Sequence, residues 1–92
     1  MSSHSFDRVE FIHALQEWCG DRFDPLVRFP GKGGFQNVAY LYSKDYAELI
    51  ENGTQLMEFI QRKLKMPVVV FAEPLDRASG IAMKCDDWLK IK

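Results

Sequence analysis

Between Phe29 and Phe35 the chain reads Pro30-Gly31-Lys32-Gly33-Gly34, and no regular element runs through such a stretch. Proline lacks an amide hydrogen and glycine loses the most backbone freedom on ordering, so helix and strand both stop here. The flanks are β-prone. Leu26 to Phe29 is apolar apart from Arg28, and Phe35 to Tyr42 is rich in aromatic and β-branched residues. Val38, Tyr40 and Tyr42 alternate with Ala39 and Leu41, which puts the two sets on opposite faces of a strand. The glycine-rich stretch is therefore read as a turn joining two strands. A phosphate-binding loop leads instead from a strand into a helix, and its lysine is followed by Ser or Thr. Here Lys32 is followed by Gly33 and then by strand.

The rest of the chain divides by the same logic. Phe11, Ile12, Leu15, Trp18 and Cys19 fall on one helical stripe, with Glu10, His13, Glu17 and Asp21 opposite. Ser5 is expected to cap this helix, with Asp7 in its first turn. A second helix opens at Ser43 or Asp45, where Asp45 and Glu48 resemble a capping box, and breaks at Asn52-Gly53. Thr54 is expected to cap a third helix, with Leu56, Met57, Ile60 and Leu64 on its apolar face. Val68-Val69-Val70-Phe71 reads as a strand after Pro67, Gly80 to Met83 as another, and Asp86-Asp87 as the cap of a last helix carrying Trp88 and Leu89.

The length of 92 residues fits one domain, and an apolar content of 47% fits one small core. The formal charge of −1 argues against broad, sequence-independent coating of DNA. Two cysteines, a polar start and a longest apolar run of only Met66 to Ala72 suggest a reduced, cytoplasmic chain with no membrane span.

From about Asn37 to Ile91 the order of elements resembles the Phd/YefM family of antitoxins. Glu48 to Ile60 looks like that family's helix pair with Asn52 at the junction. Met66 to Phe71 looks like its first hairpin strand, and Gly80 to Ile91 like its second strand and Asp-aromatic helix start. The resemblance implies an α+β fold: a small antiparallel sheet, an N-terminal amphipathic helix, and a central helix pair in a Phd/YefM-like C-terminal half. Residues 1–35 become an N-terminal helix-strand addition and residues 36–92 the family-like module of a single domain. It implies dimerisation through the C-terminal half and binding of a protein partner, such as a toxin, that is neutralised. The family's basic DNA-contact positions hold Ile50 and Ala72-Glu73 here, and its toxin-binding tail is not matched, so autoregulation on DNA is not expected. The partner is expected on the N-terminal helix and near the last one, through Phe11, Leu15, Trp18 and Trp88.

An alternative is a nucleic-acid-binding module. Lys32 to Ile50 faintly resembles the central strand and second helix of an RNA-recognition motif, with Arg28, Lys32, Tyr40 and Tyr42 as nucleic-acid or anion contacts, in a basic-aromatic cluster with Phe29 and Phe35. A third reading is an inhibitor carried by a phage or mobile element. No catalysis, metal or cofactor is expected. His4 and His13 lack ligand spacing, Cys19 lies on an apolar stripe, and Asp86 and Asp87 beside Cys85 raise a thiol pKa.

Overall fold

The computed structural model describes residues 7–30 and 37–91. The turn reading of Gly31 to Gly34, the residues Lys32 and Phe35, and the cap reading of Ser5 lie outside them. The chain is α+β. Helix α1 (Arg8–Cys19) leads to strand β1 (Leu26–Arg28) and strand β2 (Val38–Ser43). Helices α2 (Tyr46–Glu51) and α3 (Gly53–Leu64) lead to strand β3 (Val69–Pro74). A single 3-10 turn, Leu75–Arg77, then precedes strand β4 (Met83–Lys84) and helix α4 (Cys85–Lys90). No helix among the described residues is long and apolar enough to cross a membrane.

Local chemistry sets most boundaries. Asp7, rather than standing in the first turn, is the cap of α1: its carboxylate accepts from the amides of Val9 (2.8 Å) and Glu10 (3.4 Å). Gly20 closes that helix at φ 58°, a region glycine enters without strain, and its amide returns to the Gln16 carbonyl. Asn52 separates α2 from α3 as expected, but α3 already begins at Gly53, so Thr54 lies inside it rather than capping it, and neither Asp45 nor Asn52 caps through its side chain. The turn into α2 is held by Ser43, whose buried hydroxyl donates to the Phe23 carbonyl (2.8 Å) and accepts from the Asp45 amide (3.1 Å). Asp86 and Asp87 lie in the first turn of α4 rather than at its cap, which is Lys84.

The sheet is mixed, in the order β3-β2-β1-β4. β1 pairs antiparallel with β2 and with β4, while β2 and β3 run parallel, joined by the α2–α3 crossover. Two expectations are corrected here. The sheet is not wholly antiparallel, and the segments Val68–Phe71 and Gly80–Met83 do not form a hairpin: β3 and β4 stand at opposite edges. The reason is β1. Leu26 pairs with both Tyr42 and Lys84, and Val27 with both Leu41 and Met83, so β1 occupies the place a hairpin partner of β3 would need. Strand β1 thus lies inside the sheet, between β2 and β4.

Helices cover one face only. Ala39, Leu41 and Val27 pack under Phe11, Ile12, Leu15, Leu56 and Ile60, all at most 1% exposed. At about 25 cal/mol per Å² of apolar surface removed from water, these side chains are the main stabilising term. Glu10, His13 and Glu17 stay exposed on the far side of α1.

Candidate interaction surface

Strand alternation sends Arg28, Val38, Tyr40, Tyr42, Val69, Phe71 and Glu73 to the face that the helices do not cover. Register places Arg28 beside Tyr40, Tyr40 beside Phe71, and Tyr42 beside Glu73. The rings form a row: Tyr40 stacks on Phe71 with centroids 5.3 Å apart and on Tyr42 at 6.5 Å. Arg28 lies 4.4 Å over the Tyr40 ring and donates through Nε to the Tyr42 hydroxyl (3.0 Å), a hydrogen bond that raises the guanidinium pKa.

The structure therefore brings together three of the four residues expected to contact nucleic acid, Arg28, Tyr40 and Tyr42, while Lys32 lies outside the described residues. The arrangement is closed, however. Tyr40 has Phe71 on one neighbouring strand and Arg28 on the other, and Tyr42 is 2% exposed. A base needs an open ring face to stack upon. Phe29, grouped with Arg28 in the sequence, turns to the other side, where its ring meets Phe11 (5.4 Å) and Trp88 (5.0 Å).

Three of the four expected partner contacts lie in the core. Phe11 and Leu15 are fully buried, and Trp88 is 9% exposed with its indole N–H donating to the Val27 carbonyl (2.8 Å). Trp18 is half-buried, stacked on Phe23 at 5.9 Å. With one sheet face to cover and a single long apolar stripe in the N-terminal third, α1 is used up as core.

Among the described residues, Val9, Ile81 and Ile91 are exposed apolar side chains away from β3, and four others lie on that strand or beside it. Phe71 is 46% exposed, Val69 37%, Ile50 57% and Tyr46 38%. Tyr46 and Ile50 stand four residues apart on one face of α2. A groove of about 350 Å³ runs between this helix pair and the outer side of β3, lined by Ile50, Gly53, Thr54, Met57, Phe71 and Ala72 among others. It contains no charged residue.

The outer side of β3 is a sheet edge, and its polar groups can be followed one by one. The Val69 amide donates inward, to the Asn37 carbonyl (2.9 Å). Successive residues of a strand point their N–H and C=O to alternate sides, so Phe71 and Glu73 also face β2 while Val68, Val70, Ala72 and Pro74 face outward. The Val68 carbonyl accepts from Gln61 Nε2 (2.9 Å), and the Val70 amide meets only the Met57 thioether (3.5 Å), a weak acceptor. Pro74 has no N–H. The sequence reading did not single out Phe71 as a contact residue. The signal was present in the uncharged run from Met66 to Ala72, read there as the first strand of a hairpin.

A second hollow, of about 460 Å³, lies where the end of α1 meets the start of α4, lined by Cys19, Cys85, Asp21, Asp24, Asp86, Arg22 and Lys84 among others. Four of the five charged residues named are engaged: Lys84 pairs with Asp24 (3.3 Å), Arg22 with Glu48 (2.9 Å), and Gln16 donates to Asp86 (3.0 Å). Burial pushes the Cys19 thiol up to about 12 and the Cys85 thiol to about 11, with Asp86 adding to the latter. A nucleophilic cysteine needs a shift in the other direction. Among the described residues no three His, Cys, Asp or Glu side chains gather as metal ligands.

Compared with protein-family models, with curated proteins and with solved structures, the chain matches none.

Proposed function

We propose that this chain is a protein-interaction module without chemistry of its own, whose partner docks along β3 and the α2 face beside it. The observation that carries this reading is that exposed apolar side chains flank the sheet edge from both sides, Val69 and Phe71 on β3 and Tyr46 and Ile50 on α2, with Phe71 and Ile50 lining one groove. Exposed apolar side chains scattered singly need no explanation, whereas a group beside an uncharged groove marks a contact surface. The raised thiol pKa values and the ion-paired charges of the hollow near α4 support the non-enzymatic part.

The resemblance to Phd/YefM antitoxins suggests that the partner is a toxin or another protein to be neutralised. The helix pair broken at Asn52 supports the resemblance, and the unformed hairpin does not. Direct operator binding is left out of the proposal, because Ile50 and Ala72 carry no charge for phosphate. The test places a photo-crosslinking amino acid at Phe71 and, as a control, at Ile91, which is 53% exposed on the far helix. Cross-linked polypeptide from the Phe71 position, lost on Ile50→Glu, is the expected result. Equal labelling from both positions would sink the reading.

A further inference from the structure

We infer that the polypeptide seated on β3 is a second copy of this chain, its β3 running antiparallel to the first about a two-fold axis at Phe71. The inference rests on the interaction reading above and puts a second copy on β3 in place of the toxin-like protein that the resemblance suggests. Among the described residues, Val70 and Ala72 are the two of the edge able to give and take a main-chain hydrogen bond outward without a strong partner already in place there. In an antiparallel pair, hydrogen-bonded residues exchange two bonds each. An axis through Phe71 sets Val70 opposite Ala72 of the second copy and Ala72 opposite its Val70, which satisfies all four groups on each side.

The ends of the strand fit this register and no neighbouring one. Val68 then faces the second copy's Pro74, which has no N–H to give, and the Val68 carbonyl already accepts from Gln61 Nε2 (2.9 Å). Moving the axis to Ala72 puts Val70 opposite the proline and leaves the Val70 carbonyl without a donor. Moving it to Val70 sends the Ala72 amide to the Val68 carbonyl that Gln61 holds. Only the Phe71 axis leaves no conflict.

Side chains agree with the backbone. Val69 to Ala72 carries no charge, so self-pairing sets no like charges opposite each other, and Glu73 faces Val69 rather than its own equivalent. Phe71 meets Phe71 at a non-hydrogen-bonded position, where cross-strand side chains approach most closely. The row Arg28, Tyr40, Phe71 then continues across the axis into its mirror sequence. A sheet edge left open in this way is a template for pairing, and a matching edge of the same length closes it.

The experiment measures the molar mass of the full chain by light scattering over a concentration series, together with cysteine pairing on a non-reducing gel. The expected mass is twice 10.7 kDa, falling to 10.7 kDa in Phe71→Glu. Phe71 is 46% exposed, so this variant keeps its core, and circular dichroism checks that it folds. Phe71→Cys is expected to cross-link to itself under mild oxidation, because Cα atoms at such a pair lie about 4.5 Å apart, within disulfide reach. Val69→Cys and Glu73→Cys are expected to cross-link when mixed and not when alone. A 10.7 kDa wild-type chain at every concentration overturns the inference, as does a dimer that survives Phe71→Glu or cross-links through Val69→Cys alone. A monomer that still captures a different polypeptide at Phe71 overturns the second copy and leaves the interaction reading standing. A monomer that captures nothing there overturns both.

Discussion

The indole N–H of Trp88 donates to the main-chain carbonyl of Val27 over 2.8 Å, joining the last helix to the middle strand. Both residues are buried, so the carbonyl has no water to turn to when the donor is removed. Trp88→Phe keeps the ring and loses the donor, and is expected to cost about 1–3 kcal/mol. Trp88→Ala also opens a cavity beside Phe29, and the expected cost rises to about 3–5 kcal/mol. Urea unfolding of both variants checks the order.

Trp18 should behave differently. It is half-buried and stacked on Phe23, so Trp18→Ala opens less enclosed space than a core truncation does. The expected loss is below the ~3–5 kcal/mol of a buried aromatic. Partner capture at Phe71 is expected to persist in the folded variant.

Arg28 and Tyr42 give a test of the nucleic-acid alternative. With its guanidinium on the Tyr40 ring and the Tyr42 hydroxyl, Arg28 is spent within the chain. No salt-sensitive shift of single-stranded RNA or duplex DNA is expected in a gel between about 50 and 200 mM salt. Binding that weakens steeply over that range would restore the alternative. Tyr42→Phe is expected to cost about 1 kcal/mol, the usual net value of one hydrogen bond.

The two thiols predict an alkaline limb to stability. Both have folded values raised above the ordinary 9.0, to about 12 for Cys19 and about 11 for Cys85. Above pH 9.0 the unfolded chain releases protons that the folded chain keeps, so stability is level below that pH and falls as pH rises toward 12. Urea midpoints across this window should fall less steeply in a Cys19→Ala, Cys85→Ala double variant. Alkylation of the native chain at neutral pH is expected to be slow and to become fast on unfolding.

Ser43 holds a backbone that few residues adopt. Phe23 and Asp24 have φ of 70° and 41°, and the Ser43 hydroxyl fastens the Phe23 carbonyl. Ser43→Ala leaves that carbonyl without its buried donor, at an expected cost of about 1–3 kcal/mol.

Periodicity carried most of the elements. The stripe of Phe11, Ile12, Leu15 and Cys19, the break at Asn52-Gly53 and the alternation about Tyr40 are local properties, and the structure places each as read. Pairing was not legible. Whether Val69 to Pro74 lies beside β4 or beside β2 depends on which strands compete for β1, and no residue in the run records that competition. The same gap hid the candidate site. An apolar strand flanked on both sides and one left at an edge have the same composition, so Phe71 was not singled out. Trp18 and Trp88 read as contact surface because size alone does not say which way a ring points.

Because β1 has β4 as one of its two neighbours, the sheet is completed by residues far along the chain: Leu26 waits for Lys84 and Val27 for Met83. Contacts of such long sequence separation slow folding, since chain entropy is lost before they form. During synthesis the N-terminal helix and its first hairpin emerge long before the strand that seals them. A ribosome-bound chain stopped short of Met83 therefore leaves one side of β1 bare, exposing a second pairing edge that the finished molecule hides.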